Sequence, residues 1–427
     1  MIDFHLKTKY TSNYYQDAPK LENSYGSLNN LLNILLCEGF NKQSIVSIVF
    51  NNELKTAIIN VEAGHGFNKE QVIELEGVPE ELNKQFRIKD IKPLSLEVAY
   101  KEDEVFNNFT GTGATVKVAP LGFTRIYNNT TNSVSCYKNK SILNPGILKV
   151  IDELPPNGYS TDWSKYARIC MGISIDESGE FIDNKKSPQT TEHPYPEKYG
   201  DGSSGSGGIH GFAKWRYASN NDSYSRENYT PSGDFPRKWE LIGDDKTFYL
   251  FIYDNQGTSC CGFGNLFSNK EGFNSLVLQA QDRFIAANST AGSGYYNRHR
   301  NYWGNLLYSE EGSFILTNIY GGVEKCLRYH STGFYVGSSF PDRPWNSISI
   351  RNHNEFSGNI VSSVLGVKDT EGFVRGHHRG FKILYGNDYS TTERLIGTPY
   401  RTILLTDPLR TGDMPLLFTM EDWEHIE

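Results

Sequence analysis

The fold class follows from one stretch of the chain, Ser44-Ile-Val-Ser-Ile-Val-Phe50, and from the one after it, Lys55-Thr-Ala-Ile-Ile-Asn-Val61. Both stretches are rich in β-branched residues, and Asn51-Asn52 opens the short connection between them. Two such runs joined by a short polar turn are typical of a β-hairpin. The sequence therefore predicts a β-domain that begins near residue 44.

This small β-domain is expected to extend over residues 44–118, where further strand-like runs alternate with Gly, Pro and Asn turns. The predicted strands lie at residues 71–75, 85–89, 95–99 and 114–118. His65 stands between two glycines, so we expect its ring to have a structural role in a tight turn. The short alternating strands favour a small β-sandwich or barrel-like domain.

Residues 1–43 are interpreted as an N-terminal arm and a helix. Ser27 is a suitable N-cap, Gly39 is a suitable residue after the last helical turn, and apolar residues recur between them at helical spacing. The preceding arm is polar and rich in tyrosine, and we expect it to order against a partner. Removing residues 1–26 is then expected to leave the fold intact and to weaken assembly.

Residues 119–427 are predicted to form a larger, irregular β-sandwich region with long loops. The strongest strand signal is the aromatic run Thr247-Phe-Tyr-Leu-Phe-Ile-Tyr253. A long loop insertion is expected at about residues 187–239, and loops of that length are uncommon unless functional. Across the whole chain the expected fold class is mainly β, with one short N-terminal helix.

The composition limits the classes of partner. The 427 residues carry a formal net charge of −8, which argues against an extended basic face for nucleic acid. No apolar stretch approaches the length of a membrane span, and the N-terminus does not resemble a secretory signal. We therefore expect synthesis in a reducing cytoplasm, with neither nucleic acid nor a membrane span among the protein's interactions.

The six cysteines are scattered and contain no Cys-x-x-Cys pair, so no zinc site is expected. Free cysteines are usually buried, and we expect that here. The adjacent Cys260 and Cys261 are expected to point to opposite faces of a strand. No metal and no cofactor are predicted.

The densest cationic spot is Arg375-Gly-His-His-Arg-Gly380. Two guanidinium groups and two imidazoles close together could bind phosphate or an acidic sugar. The candidate ligand-binding residues are therefore Arg375, His377, His378 and Arg379. A buried polar turn and an intersubunit contact are the alternative interpretations of the same residues.

No motif supports an enzyme, and no catalytic residue is assigned. The glycine-rich run at residues 202–208 lacks the Lys-Ser/Thr that follows a phosphate-binding loop, and no Gly-x-Ser-x-Gly sequence occurs. The many acidic residues leave a carboxylate pair for glycoside hydrolysis unconstrained. The expected function is not enzymatic.

The order of motifs carries a family resemblance. In the small domain these motifs are Gly64-His-Gly-Phe67, Val72-Ile-Glu-Leu-Glu-Gly-Val78, a Phe-x-Ile strand at residues 86–88, and Gly111-Thr-Gly-Ala-Thr-Val116. Downstream come Pro120-Leu-Gly-Phe-Thr124, the strand at residues 166–173, the segment at residues 236–250, and the closing Val374-Arg-Gly-His-His-Arg-Gly-Phe381. Together they cover most of residues 44–385, and their order resembles that of tail and baseplate proteins of tailed bacteriophages.

The resemblance implies a structural component of a phage tail, at the baseplate or tail tip, located in the virion. Its partners would be other tail and baseplate proteins and further copies of itself in a symmetric assembly. Two alternatives remain open. One is a glycan-binding tail-tip protein that recognises a host surface glycan through loop aromatics and the Arg375–Arg379 cluster, and the other is an enzyme that degrades envelope polysaccharide.

Overall fold

The structure is a computed structural model of the whole chain. The residues that it describes are 7–101, 103–142, 145–154, 165–182, 213–218, 236–254, 257–265, 267–268, 283–288, 313–318, 325–327, 361–368, 374–385, 400–405, 414–421 and 423. These residues are mainly β, as the sequence predicts, with one short α-helix and several sheets.

The first part of the chain contains the helical elements, strand β1 of the larger domain and the strands of the small domain. The helical elements are α1 (Ser27–Asn33), a π-helical turn (Ile34–Glu38) and a 3-10 turn (Glu80–Leu82). The strands are β1 (Lys9–Ser12), β2 (Phe40–Asn51), β3 (Thr56–Val61), β4 (Val72–Glu76), β5 (Gln85–Lys92), β6 (Ser95–Ala99), β7 (Phe109–Thr110) and β8 (Thr115–Val118).

Sixteen further strands are described in the larger domain. They are β9 (Thr124–Asn128), β10 (Val134–Lys138), β11 (Ile147–Ile151), β12 (Lys165–Gly172), β13 (Ala213–Ala218), β14 (Lys238–Gly243), β15 (Phe248–Asp254), β16 (Gly257–Asn265), β17 (Phe267–Ser268), β18 (Arg283–Asn288), β19 (Ser313–Asn318), β20 (Lys325–Leu327), β21 (Val361–Lys368), β22 (Val374–Tyr385), β23 (Tyr400–Leu405) and β24 (Met414–Thr419).

The small domain is a closed antiparallel barrel. Its strand order is β3-β6-β5-β4-β8-β2, and β2 also pairs with β3, which closes the ring, while β7 adds to β2. Closure leaves the inward side chains to form a core of their own, which includes Ile48, Ile59, Ile73, Leu96 and Val116. The predicted hairpin and the four further predicted strands are therefore confirmed, although β2 begins at Phe40.

The larger domain is built on an antiparallel sheet whose main path is β1-β14-β15-β16-β18-β13-β12-β11-β10-β9. Side chains of β15 alternate between two layers, as strand geometry requires. Phe248 and Leu250 join the core that includes the leucines of α1. Tyr249 and Phe251 contact Phe418 of the second sheet, with ring centroids 5.8 and 5.5 Å away. The large sheet therefore lies between α1 and a second sheet formed by β17, β21, β22, β23 and β24.

The arm was expected at residues 1–23 and to order on a partner, and this expectation is wrong for its described part, residues 7–23. β1 pairs with β14 of the same chain, from Lys9 opposite Gly243 to Ser12 opposite Glu240. The Trp239 indole Nε1 donates a hydrogen bond to the Pro19 carbonyl oxygen (2.9 Å), and Leu21 is fully buried in the core. This segment is an integral part of the larger domain.

The helix is confirmed, but its capping differs from the expectation. Gly26, at φ +86°, holds the N-cap position, and Ser27 is the first helical residue. The helix N-terminus is capped by Asp152, the residue after β11, whose Oδ2 accepts hydrogen bonds from the backbone N–H groups of Leu28 (2.9 Å) and Asn29 (3.3 Å). Gly39, at φ +79°, follows the π-helical turn that continues α1.

The loop predicted at about residues 187–239 is interrupted by β13, which is a correction to the sequence interpretation. β13 pairs with β12 and contributes Trp215 and Tyr217 to the core. The physical reason is the alternation of Ala213, Trp215 and Tyr217 with Lys214 and Arg216, which is the period of a strand.

Candidate functional site: an interdomain cleft

The predicted cationic cluster lies in a strand. Residues 375–380 belong to β22, and His377 and Gly376 pair with β17. The alternative interpretation of these residues as a buried turn is therefore wrong for the backbone. The side chains of Arg375 and His377 lie outside the described part of the structure, so ligand binding by these two residues stays a prediction.

His378 and Arg379 are buried between the two sheets. Their side chains are 1% and 3% exposed. The Tyr249 hydroxyl lies 3.1 Å from His378 Nδ1 and donates a hydrogen bond to the Arg379 carbonyl oxygen (3.2 Å). Burial raises the pKa of Tyr249 well above its usual value, so the phenol stays protonated and can donate. In this structure His378 and Arg379 therefore contact Tyr249 of β15 in the protein interior.

His65 has the structural role that its sequence context predicts. Its Nδ1 accepts a hydrogen bond from the Phe67 backbone N–H (3.0 Å), which leaves Nε2 as the donor to the Lys92 carbonyl oxygen (2.7 Å). The His65 carbonyl oxygen accepts from the Asn41 side-chain amide (2.8 Å). Both ring nitrogens therefore fix the turn between β3 and β4 against neighbouring backbone.

A cleft of about 510 Å³ lies between the small barrel and the larger domain. The barrel contributes the end of β6 with the loop after it and the start of β5. The larger domain contributes β1, the turn at Asp245 and the segment between β8 and β9 (residues 119–123), which we call the linker. This volume falls in the range of small-molecule sites, which often occur between domains. The cleft is therefore the candidate functional site.

Lysines dominate the charge of the cleft. Five lysines line it, against three carboxylates, which leaves an excess of two positive charges in a chain whose net charge is −8. The lysines are Lys7, Lys9, Lys84, Lys101 and Lys140. A local positive potential in an acidic protein favours an anion at this position.

Lys9 is the buried member of the set. Its ammonium donates hydrogen bonds to the carbonyl oxygens of Pro120 (2.8 Å) and Leu121 (3.2 Å), and only 6% of the residue is exposed. Burial lowers the pKa of Lys9 to about 8, although the nearby Asp245 and Glu74 carboxylates oppose this shift. Lys9 therefore fixes the linker and remains largely charged near neutral pH.

The barrel and the larger domain are joined by polar contacts beside the cleft. The Arg87 guanidinium, on β5, donates to the Thr8 carbonyl oxygen (3.1 Å). The backbone N–H groups of Leu121 and Gly122 donate to the carbonyl oxygens of Leu35 and Leu36 (both 2.9 Å) at the end of the helix. These bonds fix the linker and with it the spacing of the two walls.

The barrel also exposes apolar side chains on its outer surface. Val46, Val49 and Ile58 are 50, 44 and 40% exposed, and Val49 lies directly opposite Ile58 on the neighbouring strand. Val46 lies at a β-bulge between Ile45 and Ser47. The residues of β2 after the bulge follow the normal alternation of buried and exposed side chains. We refer to Val46, Val49 and Ile58 as the outer apolar face.

The cleft was not foreseen from the sequence. Its lysines come from positions 7 to 140 and share no spacing pattern, so their proximity is a product of the tertiary fold. By contrast, the cationic cluster at residues 375–380 is contiguous in sequence, but His378 and Arg379 are directed inward. A high density of charged residues in the sequence therefore does not indicate a charged surface at residues 378–379.

No family model matches this chain, and no curated protein matches it. Within the described residues, no helix has the length and apolar character needed to cross a membrane. In the same part of the chain, no three His, Cys, Asp or Glu side chains are grouped so that they could hold a metal ion.

Proposed function

We propose that this chain is a structural subunit of a bacteriophage tail, at the baseplate or tail tip, that acts by assembly with other tail proteins and with copies of itself. The order of sequence motifs over residues 44–385 supports the proposal. The role is not enzymatic. In this proposal the protein is located in the virion tail after synthesis in the host cytoplasm.

The outer apolar face is the structural observation that carries the proposal. Outward positions of a barrel that faces only water are usually polar, whereas Val49 and Ile58 form a cross-strand aliphatic pair on this surface. Complete burial of such a side chain contributes about 1.5–3 kcal/mol. Since these side chains are already about half buried, a neighbouring subunit that covers this face gains roughly half of that free energy per side chain at every repeated contact of a symmetric assembly.

The test is incorporation into particles. In particles purified from the strain that carries the gene, mass spectrometry is expected to detect the chain in the tail fraction. The double variant Val49→Lys/Ile58→Lys is expected to fold, because both side chains are exposed, and to be lost from the particles. A chain found only in the soluble lysate contradicts the proposal.

The matched control is Ile142→Lys/Ile182→Lys. These isoleucines are 76% and 65% exposed and lie on the larger domain. The control adds the same charge outside the outer apolar face and is expected to be incorporated normally. Equal incorporation of both double variants would exclude the outer apolar face as the contact surface.

A further inference from the structure

Two of the cleft lysines present open ammonium groups, one from each domain. Lys101 follows β6 of the barrel, and Lys140 follows β10 of the larger domain. Among the residues that the structure describes, neither ammonium has an ion-pair partner. These two groups are therefore available to a ligand.

The Glu104 carboxylate, which accepts from the backbone of Lys101, is already engaged. The Glu104 carboxylate accepts from the Lys84 ammonium through Oε1 (2.7 Å) and from the Lys101 backbone N–H through Oε2 (3.3 Å). Lys84 also lies over the Phe106 ring, 4.2 Å from its centroid. Lys84 and Glu104 thus neutralise each other, so Glu104 does not pair with the Lys101 ammonium.

The backbone of Lys140 is held in place at the opposite wall. Its N–H donates to the Asp245 carbonyl oxygen (2.9 Å). Gly122, at φ +110°, permits a close approach of the neighbouring residues, because a Cβ at this position would lie only 3.3 Å from Asp245 Cβ and 3.5 Å from Lys140 Nζ. The wall is therefore shaped by a residue that has no side chain.

The cleft also contains groups that suit hydroxyls. Glu74 and Asp245 are acceptors on the lining, and Asn83 and Gln85 contribute side-chain amides. A simple anion gains nothing from the carboxylates, whereas sugar hydroxyls can donate hydrogen bonds to them. The mixture of ammonium, carboxylate and amide groups fits a ligand with both an anionic group and several hydroxyls.

We propose that the interdomain cleft binds an acidic sugar, with its carboxylate or phosphate group between Lys101 and Lys140 and its hydroxyls on the acidic and amide side chains. The cleft volume of about 510 Å³ accommodates such a ligand. This site is separate from the Arg375–Arg379 cluster. It is also independent of the outer apolar face, so either proposal can fail without the other.

The experiment is calorimetric titration of the full-length protein with four probes: glucuronate, a hexose monophosphate, inorganic phosphate and neutral glucose. Saturable binding of either acidic sugar is expected, and the preferred probe identifies the anionic group. The affinity is expected to fall when NaCl is raised from about 20 to about 300 mM, because added salt screens the ammonium groups. Neutral glucose is expected not to bind.

The variant Lys101→Gln/Lys140→Gln is expected to bind the acidic sugar at least tenfold more weakly. The control Lys89→Gln/Lys138→Gln removes the same charge at two lysines outside the cleft lining and is expected to bind like the wild type. Four results would overturn the proposal: no binding of either acidic sugar, equal binding of glucose, binding of inorganic phosphate alone, or unchanged affinity in the cleft variant.

Discussion

At the scale of single residues, Asp152 links the helix to the large sheet. Besides the two N–H groups of α1, its carboxylate accepts a hydrogen bond from the Tyr217 hydroxyl on β13 (2.7 Å), and it is fully buried. Burial raises the pKa of Asp152 to about 6, in spite of the hydrogen bonds from Tyr217 and from the helix, which favour the charged form. One side chain thus joins elements that are more than a hundred residues apart.

Asp152 is expected to make stability depend on pH. Since its pKa is about 6 in the folded protein and 3.8 as the ordinary value, the folded state holds the proton more tightly. Stability from this group is present below about pH 4 and is lost as the pH rises through about 6, by an amount on the order of 3 kcal/mol. Asp152→Asn removes this titration. Measured by urea unfolding, the free energy of unfolding of the variant is therefore expected to rise relative to that of the wild type as the pH increases from about 4 to about 6.

Asp152→Ala is the companion variant. It leaves the N–H groups of Leu28 and Asn29 without their acceptor, so we expect it to be about 1–3 kcal/mol less stable than Asp152→Asn at every pH, because neither variant titrates at this position. In Asp152→Asn an amide oxygen can still accept from the helix, and Tyr217 can donate to the Ser24 carbonyl oxygen, 3.0 Å away. A stability difference between Asn variant and wild type that does not change with pH would contradict this role.

The role of a residue could be predicted where it depends on residues adjacent in sequence, and could not be predicted where it depends on residues distant in sequence. His65 was recognised as a turn residue because its two glycines are adjacent in sequence. Four of the five cysteines with described side chains are buried, as expected, and Cys37 is partly buried. Asp152 and the cleft lysines depend on partners far along the chain, for which no local pattern exists.

At the scale of elements, β1 is the part of the fold that the sequence least suggested. It is short and polar, and its pairing partner β14 lies more than two hundred residues away. The barrel strands were predictable because hydrophobic alternation and turn residues are both local signals. β13 has the alternation of apolar and charged residues that is typical of a strand. It is flanked by Gly- and Ser-rich sequence, however, and was therefore included in a predicted loop.

Deletion of residues 1–26 is expected to destabilise the protein, contrary to the expectation from sequence. The deletion removes β1, the buried Leu21 and the acceptor of the Trp239 indole. The loss of Leu21 alone contributes about 2–3 kcal/mol, so we expect a fall in Tm of at least about 5 °C by calorimetry. Deletion of residues 1–6 is the control, because it leaves these contacts in place, and a wild-type Tm for the longer deletion would refute the assignment.

At the scale of the whole molecule, the barrel has a core that is separate from the core of the larger domain. Every residue of that core lies between Phe40 and Val118. A closed barrel has no unpaired edge strand that requires a neighbour. The chain therefore passes between the two domains twice, at Gly39 and after Val118, and the cleft is the space that remains between the domains.

The fragment of residues 40–118 is expected to fold alone. Its separate core and closed sheet predict a cooperative urea transition, followed by far-ultraviolet circular dichroism. Ile59→Asp in the same fragment buries a charge at a position with no exposed surface and is expected to abolish the transition. A gradual, non-cooperative change in the parent fragment would show that the barrel depends on the larger domain.

The position of β1 has a consequence for synthesis. The strands of the barrel lie within one continuous stretch, so it can form as soon as that stretch has left the ribosome. Residues 9–12, however, must wait for residues 240–243 before they can pair. At translation rates of roughly 5–20 residues per second this delay lasts roughly 10–50 s. The N-terminal strand of the nascent chain therefore stays unpaired after the barrel has formed, and the high contact order of the β1–β14 pairing is expected to make the addition of β1 to the end of the large sheet a slow step of folding.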